Sequence, residues 1–184
     1  MEYSAGNISD KIKTLNLRTF VRGMPLDTYI ECHSGEGQYK TANGGVHKGT
    51  ALVVLEELTR KETPYKAYLH ELRGERRHTL RQHIARYPSA EVHNNWMLPW
   101  ADYAREANER TLMTFDPCTT SEYVAAFPFI EALLEKDANL FLYVPEMTHY
   151  DEQKSVVDGI ATRLLSSARI ALDLRHPAGN TGAF

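Results

Sequence analysis

The sequence predicts an α/β domain with a parallel sheet wound on both faces. Three observations lead there. Short strand-like runs alternate with helical runs along the chain, the spacing that builds βαβ units. The first strand-like run passes directly into a glycine-containing loop, His33-Ser34-Gly35-Glu36-Gly37, at the place where open parallel sheets receive ligands. The 184 residues, 42% hydrophobic and 24% charged, suit one domain with its own core.

The elements follow in order. Residues 10–22 carry Ile12, Leu15, Leu17, Phe20 and Val21 among polar residues, a helix stopped near Gly23 and Pro25. Residues 28–32 (TYIEC) form a short strand, followed by the loop HSGEGQYKTANGG. Residues 50–60 form an amphipathic helix with Leu52, Leu55 and Leu58 facing inward. A second strand spans 65–71, a helix 74–87 and a weak third strand 91–94. Residues 111–115 (TLMTF) are a strong fourth strand, closed by Asp116-Pro117. A helix is predicted over 128–135 with Pro128 in its first turn. A fifth strand over 140–144, a helix over 153–167 and a sixth strand over 169–174 complete the pattern.

Composition excludes several classes. A net charge of −3 rules out a histone-like, globally basic binder of nucleic acid but leaves room for a local basic patch. The densest apolar stretch, 51–55, ends at Glu56-Glu57, far short of a spanning helix. The N-terminal stretch has no apolar core of a secretion signal, so a cytoplasmic protein is expected. Two cysteines, Cys32 and Cys118, make no disulfide framework and are read as free thiols. The eight histidines form no His-Glu-x-x-His pattern, so no metal site is expected.

The strand ends carry the chemistry. Gly35 and Gly37 let the backbone turn tightly and approach a ligand, although position 40, where a dinucleotide fingerprint has its third glycine, is Lys. Glu71 ends the second strand, placed to accept hydrogen bonds from ribose hydroxyls. Asp116 ends the fourth, its turn fixed by Pro117. Each feature alone also suits an ordinary turn or a solvated carboxylate. Together they match the arrangement of class I S-adenosylmethionine-dependent methyltransferases. A nicotinamide enzyme has no reason to carry the third.

More narrowly, the chain resembles the RlmJ-type family of large-subunit ribosomal RNA adenine-N6 methyltransferases. The resemblance rests on Ala5-Gly6-Asn7 through Asp10 and Lys13, on Tyr29 to Tyr39, on Lys48-Gly49-Thr50-Ala51-Leu52, on Leu69-His70-Glu71-Leu72, and on Asp116-Pro117. Three-Cys-motif partner proteins share much of the same pattern. The resemblance implies one domain over residues 1–184, with a Rossmann-like sheet of six or seven strands. It implies that Lys13, His33, Ser34, Gly35, Gly37 and Thr50 line the amino-acid end of S-adenosyl-L-methionine, with Glu31 as the first-strand acid. Glu71 would hold the ribose and Asn95 would lie near the adenine ring. Asp116, helped by the Pro117 carbonyl, would be catalytic.

The departures are specific. Cys118 and Thr119 stand where the family has Pro and Tyr, the Tyr being the aromatic that stacks on the target base, and Tyr123 is a candidate substitute. Glu31 replaces Asp. The family's helical insertion after the first loop is missing, and no counterpart of its last, antiparallel strand precedes residue 184. Methylation of a small molecule or protein, and a non-catalytic cofactor- or partner-binding role, therefore stay open beside RNA methylation.

Two further clusters have two readings each. Arg73, Arg76, Arg77, Arg81 and Arg86, with His78 and His83, crowd one predicted helix. They would bind an RNA backbone or form a solvated face paired with acids such as Glu75. Trp96, Pro99, Trp100 and Tyr103 would stack a base or close the core; the second reading is the commoner outcome. The oligomeric state is not legible.

Overall fold

The computed structural model describes residues 8–41, 44–116 and 120–142, together with positions 159 and 162. Along the chain run α1 (Ile8–Gly23), β1 (Thr28–Glu31), β2 (Gln38–Lys40), β3 (Val46–Lys48) and α2 (Thr50–Arg60). Then come β4 (Lys66–His70), α3 (Gly74–Ile84), β5 (Ala90–His93), α4 (Trp100–Glu106), β6 (Thr111–Phe115), α5 (Thr120–Leu134) and β7 (Asn139–Leu142). The main sheet has the order β5-β4-β1-β6-β7, and every pairing in it is parallel. Thr28 is level with both Lys66 and Thr111, so β1, β4 and β6 start together and their carboxyl ends form one edge.

The two-residue period of the strands sorts the core into two layers. Tyr29, Ala67, Leu69 and Leu112 pack with Leu17 and Val21 of α1, Leu52, Leu55 and Leu58 of α2, and Leu80 and Ile84 of α3. Ile30, Cys32, Met113 and Phe115 point the other way, onto Trp96 and onto Ala126, Ile130 and Leu133 of α5. All five residues of β6 are buried, as expected of a central parallel strand covered on both faces. Fully burying one Leu or Phe is worth about 1.5–3 kcal/mol, so these layers dominate the stability.

Polar contacts fix how α1 and α2 dock. Glu57, on the buried side of α2, receives Arg22 (2.8 Å), Arg60 (2.9 Å) and Arg18 (3.3 Å). The Arg22 hydrogen bond outweighs burial and, with smaller help from the charges of Arg22, Arg60 and Arg18, holds the Glu57 carboxyl below its usual pKa. The Lys61 ammonium donates to the carbonyls of Val21 and Met24, a cation at the carboxyl end of α1 where the helix dipole favours one.

Several sequence expectations need correction. The loop after β1 contains an antiparallel hairpin, with Gln38 opposite Lys48 and Lys40 opposite Val46. Asn43-Gly44 between two alternating runs is a hairpin signal, and Gly44 has φ +79°. Residues 100–106 form a helix where none was predicted. α5 begins at Thr120, so Pro128 sits inside it rather than in its first turn. Proline removes one helical N–H donor and crowds the preceding turn. The buried stripe Ala126, Ile130 and Leu133 holds the helix through it. Most of the helix over 153–167 and all of the strand over 169–174 lie outside the described residues, among which the parallel sheet has five strands, in keeping with the expected Rossmann-like fold.

Candidate functional site

From β1 the chain moves outward to β4 and β5, then crosses back to β6 on β1's other side. The reversal lies between β1 and β6, and ligands of open parallel sheets bind outside the carboxyl ends at such a point. Glu31 ends β1 and Asp116 follows β6 there.

Glu31 is 3% exposed. Its Oε1 accepts the hydroxyl of Thr50, the first residue of α2, while its Oε2 is buried without a hydrogen-bond partner. Burial raises the carboxyl from 4.5 to about 7, against the lowering effects of Thr50, Tyr29 and the Lys13 charge. The Tyr29 hydroxyl lies near Glu31, although its own bond is to Thr114 Oγ1 at 3.2 Å. Asp116 adds a small upward push. A buried carboxylate oxygen with no donor is costly unless something supplies one.

Lys13 reaches in from α1, and its ammonium pairs with Asp116 Oδ2 across 103 positions of sequence. The Lys13 side chain is 10% exposed and that of Asp116 36%. Asp116 therefore stays open to an incoming group while its cationic partner is held in the wall. Pro117, Cys118 and Thr119 lie outside the described residues, as does the side chain of Tyr123.

The glycine loop turns as expected. Gly35 has φ +60° and Gly37 φ +85°, values that L side chains rarely adopt. A Cβ on Gly35 would run into the Tyr39 hydroxyl, and one on Gly37 would come 3.0 Å from Leu80 Cδ1. Packing against the protein's own side chains thus accounts for both glycines. Ser34 is a structural tie: its hydroxyl accepts the His70 N–H (3.1 Å) and its N–H donates to the His70 carbonyl (2.9 Å).

His33 follows β1, its ring edge-on to Phe115 at 5.0 Å between centroids, with Nδ1 buried and unpartnered. Burial lowers its pKa; Glu122, Asp116 and Glu71 pull it upward, and Lys13 adds to the lowering. On the neighbouring strand, Glu71 accepts the Arg73 N–H at Oε1 (2.7 Å). Its second oxygen has no partner among the described residues. Asn95, after β5, accepts the Met97 N–H at 2.9 Å and so shapes the loop into α4.

Sequence reasoning missed His70. Its Nδ1 bonds the Glu31 carbonyl (3.0 Å) and its Nε2 the Tyr103 hydroxyl (3.0 Å). Burial, with smaller effects from His93 and His33, pushes it down to about 4 against the Glu31 carbonyl bond, so it is neutral and ties β1, β4 and α4 together. It also missed the pairings Lys13–Asp116 and Thr50–Glu31, which join distant segments and leave no local pattern.

The aromatic and arginine clusters resolve. Trp96 is 7% exposed, edge-on to Phe115 and Phe129, and belongs to the core. Trp100 is covered by Phe129 at 3.9 Å between centroids. On α3, Arg77 donates to the carbonyls of Glu71 and Leu72 and Arg81 to that of Val92; just past its end, Arg86 donates to Glu56 at 3.0 Å. Arg73 and Arg76 are exposed, and their guanidinium groups meet no carboxylate among the described residues. A cavity of about 420 Å³ lies near the strands' amino ends, beside Thr28, Lys66 and Thr111, away from Asp116. The described residues contain no cluster of three or more His, Cys, Asp or Glu placed to hold a metal ion. No helix among them is long and apolar enough to cross a membrane.

No protein-family model and no curated protein sequence matches the chain. Solved structures do. Protein LPL1258 from Legionella pneumophila str. Philadelphia 1, of family model DUF519, aligns with 89% of this chain and 74% of its own at 17% identity and TM-score 0.65. An rRNA methylase from Streptococcus thermophilus aligns with 78% of this chain and 75% of its own at 12% identity and TM-score 0.51. The fold is Rossmann-like, and these structures share it. Its sheet brings Glu31, His33, Thr50, Lys13 and Asp116 to the β1/β6 reversal and puts Glu71 and Asn95 on the neighbouring strand ends.

Proposed function

We propose that the protein is an S-adenosyl-L-methionine-dependent methyltransferase acting on the exocyclic amine of an adenine in RNA, in the cytoplasm. One observation carries the reading. The buried, unpartnered Glu31 Oε2 lies at the end of the strand adjoining the one that delivers Asp116. A carboxylate in that position fits the α-ammonium group of a bound amino acid, which supplies the missing donors. The free oxygen of Glu71 fits ribose hydroxyls two strand-ends away from Asp116. The residues present therefore fit the cofactor at both ends.

Bound there, the cofactor would supply an electrophilic methyl group on a sulfonium. The chain's own task is to make the acceptor nitrogen reactive, because an adenine amine delocalises its lone pair into the ring. Asp116, with the Pro117 carbonyl, accepts the two N–H bonds and draws the nitrogen toward tetrahedral geometry. Glu31 and Glu71 would hold the cofactor, which would give up its methyl group to this nitrogen and be left as the neutral thioether. The surplus proton leaves the nitrogen by way of Asp116 to water. Orientation and fixed charge supply the acceleration. An adenine within a duplex must be extruded, or offered single-stranded. Arg73 and Arg76, at the start of α3, are the cations proposed to meet a phosphate backbone.

The sequence Asp116-Pro117-Cys118-Thr119 favours a second reading, a cofactor-binding protein without transfer to a base. Calorimetric titration with S-adenosylmethionine and its demethylated product comes first. Micromolar binding that Glu71→Ala removes supports the cofactor site, and no binding by folded protein overturns it. Ribosomal RNA is then tested as acceptor. Asp116→Asn should abolish transfer while cofactor affinity stays within about threefold. Binding without transfer to RNA favours the second reading.

A further inference from the structure

We propose that Lys13 is the positioning residue for Asp116, rather than a ligand of the cofactor. This rests on the methyl-transfer reading above. Three observations carry it. The Lys13 ammonium is paired with Asp116 Oδ2. Lys13 is the more buried partner, so the cation is fixed and the carboxylate faces outward. The pair joins α1 to the end of β6, and α1 is itself clamped to α2 through Arg22–Glu57 and capped by Lys61. The Lys13 position is therefore set by packing and not by the acceptor.

The chemical consequence concerns which oxygen reacts. An Asp side chain at a strand end can rotate about two torsions, and only some orientations aim a lone pair at an amine proton. With Oδ2 held by Lys13, Oδ1 is the oxygen left to accept the N–H. The arrangement also separates two negative groups at neighbouring strand ends. Glu31 and Asp116 repel one another, and the Lys13 charge opposes that repulsion at Glu31. Opposite charges this close keep a carboxylate ionised and oriented, and a misplaced catalytic group costs rate more than affinity.

The test compares Lys13→Met and Lys13→Arg with the wild type in three readouts: cofactor Kd, kcat on an adenine-containing ribosomal RNA acceptor, and thermal midpoint. The positioning role predicts that Lys13→Met lowers kcat at saturating cofactor by about tenfold or more with Kd within about threefold. Lys13→Arg should recover most of that rate. A Kd weakened tenfold or more in Lys13→Met with kcat intact would make Lys13 a cofactor ligand and overturn the proposal. A thermal cycle of Lys13→Met, Asp116→Asn and the double variant reads the pair without any turnover. Non-additive shifts support the contact; additive ones overturn the proposal and leave the methyl-transfer reading standing. A wild type that binds cofactor and transfers no methyl overturns that reading and this role with it, even where the cycle shows coupling.

Discussion

Replacing Glu31 by Gln tests the centre of the site, because stability and ligand affinity should move in opposite directions. Glu31 is buried, satisfied at one oxygen by Thr50 and unsatisfied at the other. Burial lifts its carboxyl from 4.5 to about 7. A group whose folded pKa is raised binds more protons folded than unfolded, so stability falls as pH rises between the two values. The lift corresponds to about 3 kcal/mol at about 1.4 kcal/mol per pH unit. That contribution is complete below pH 4.5 and lost by about pH 7.

Urea unfolding from pH 5 to pH 8 measures it. Wild type should lose up to about 3 kcal/mol from this group across that range, and Glu31→Gln, which keeps an acceptor for Thr50, should not. The variant should be the more stable protein at pH 8. It should also bind S-adenosylmethionine at least about tenfold more weakly, having lost the charge that faces the ammonium. For the wild type, affinity should weaken toward about tenfold per pH unit below 7, because a protonated Glu31 has lost the charge that attracts a cation. The reasoning is refuted if the variant keeps the wild-type pH slope, or gains stability with no loss of affinity.

Two further outcomes follow from the same contacts. Glu57→Gln should cost about 1–3 kcal/mol at pH 7, since it leaves Arg18, Arg22 and Arg60 around a neutral group. The Glu57 carboxyl is held below its ordinary value, so the wild-type advantage should vanish as pH falls below the usual carboxylate range, and acid unfolding of both proteins measures this. Arg73→Glu with Arg76→Glu should weaken RNA binding several-fold and flatten its salt dependence, read by filter binding at two salt concentrations; Arg86→Glu, whose guanidinium already meets Glu56, should do much less.

The sequence was most legible where chemistry is local. The α2 boundaries follow from the apolar stripe starting at Thr50, and the β6 boundaries from TLMTF before Asp-Pro. Asp116 and Glu71 were readable because they close strands. The hairpin was hidden inside a polar loop, although Asn43-Gly44 signalled it. The start of α5 was misplaced because Pro128 was taken as a first-turn proline, while the buried stripe carries the helix past it. Ser34 and Asn95 bear the hydrogen bonds of turns, a role that residue type and position alone could not separate from ligand contact.

The acceptor half of the site poses a narrower physical problem than the cofactor half. A target base is ordinarily held by stacking, and Thr119 offers no ring. Trp96 cannot swing out to replace it without emptying the layer formed with Phe115 and Phe129. Trp100 already spends its face on Phe129. Base recognition by these rings would therefore sacrifice core packing worth more than a single stacking contact, about 1–3 kcal/mol per base. Under the proposed function, an adenine at Asp116 gains no stacking from Trp96 or Trp100 and draws on hydrogen bonds to its amine edge and on backbone charge outside the pocket. That is why fixing the Asp116 carboxylate through Lys13 matters more here than it would in a site with a stacking aromatic. Without stacking from Trp96 or Trp100, the direction of one carboxylate oxygen carries more of the alignment.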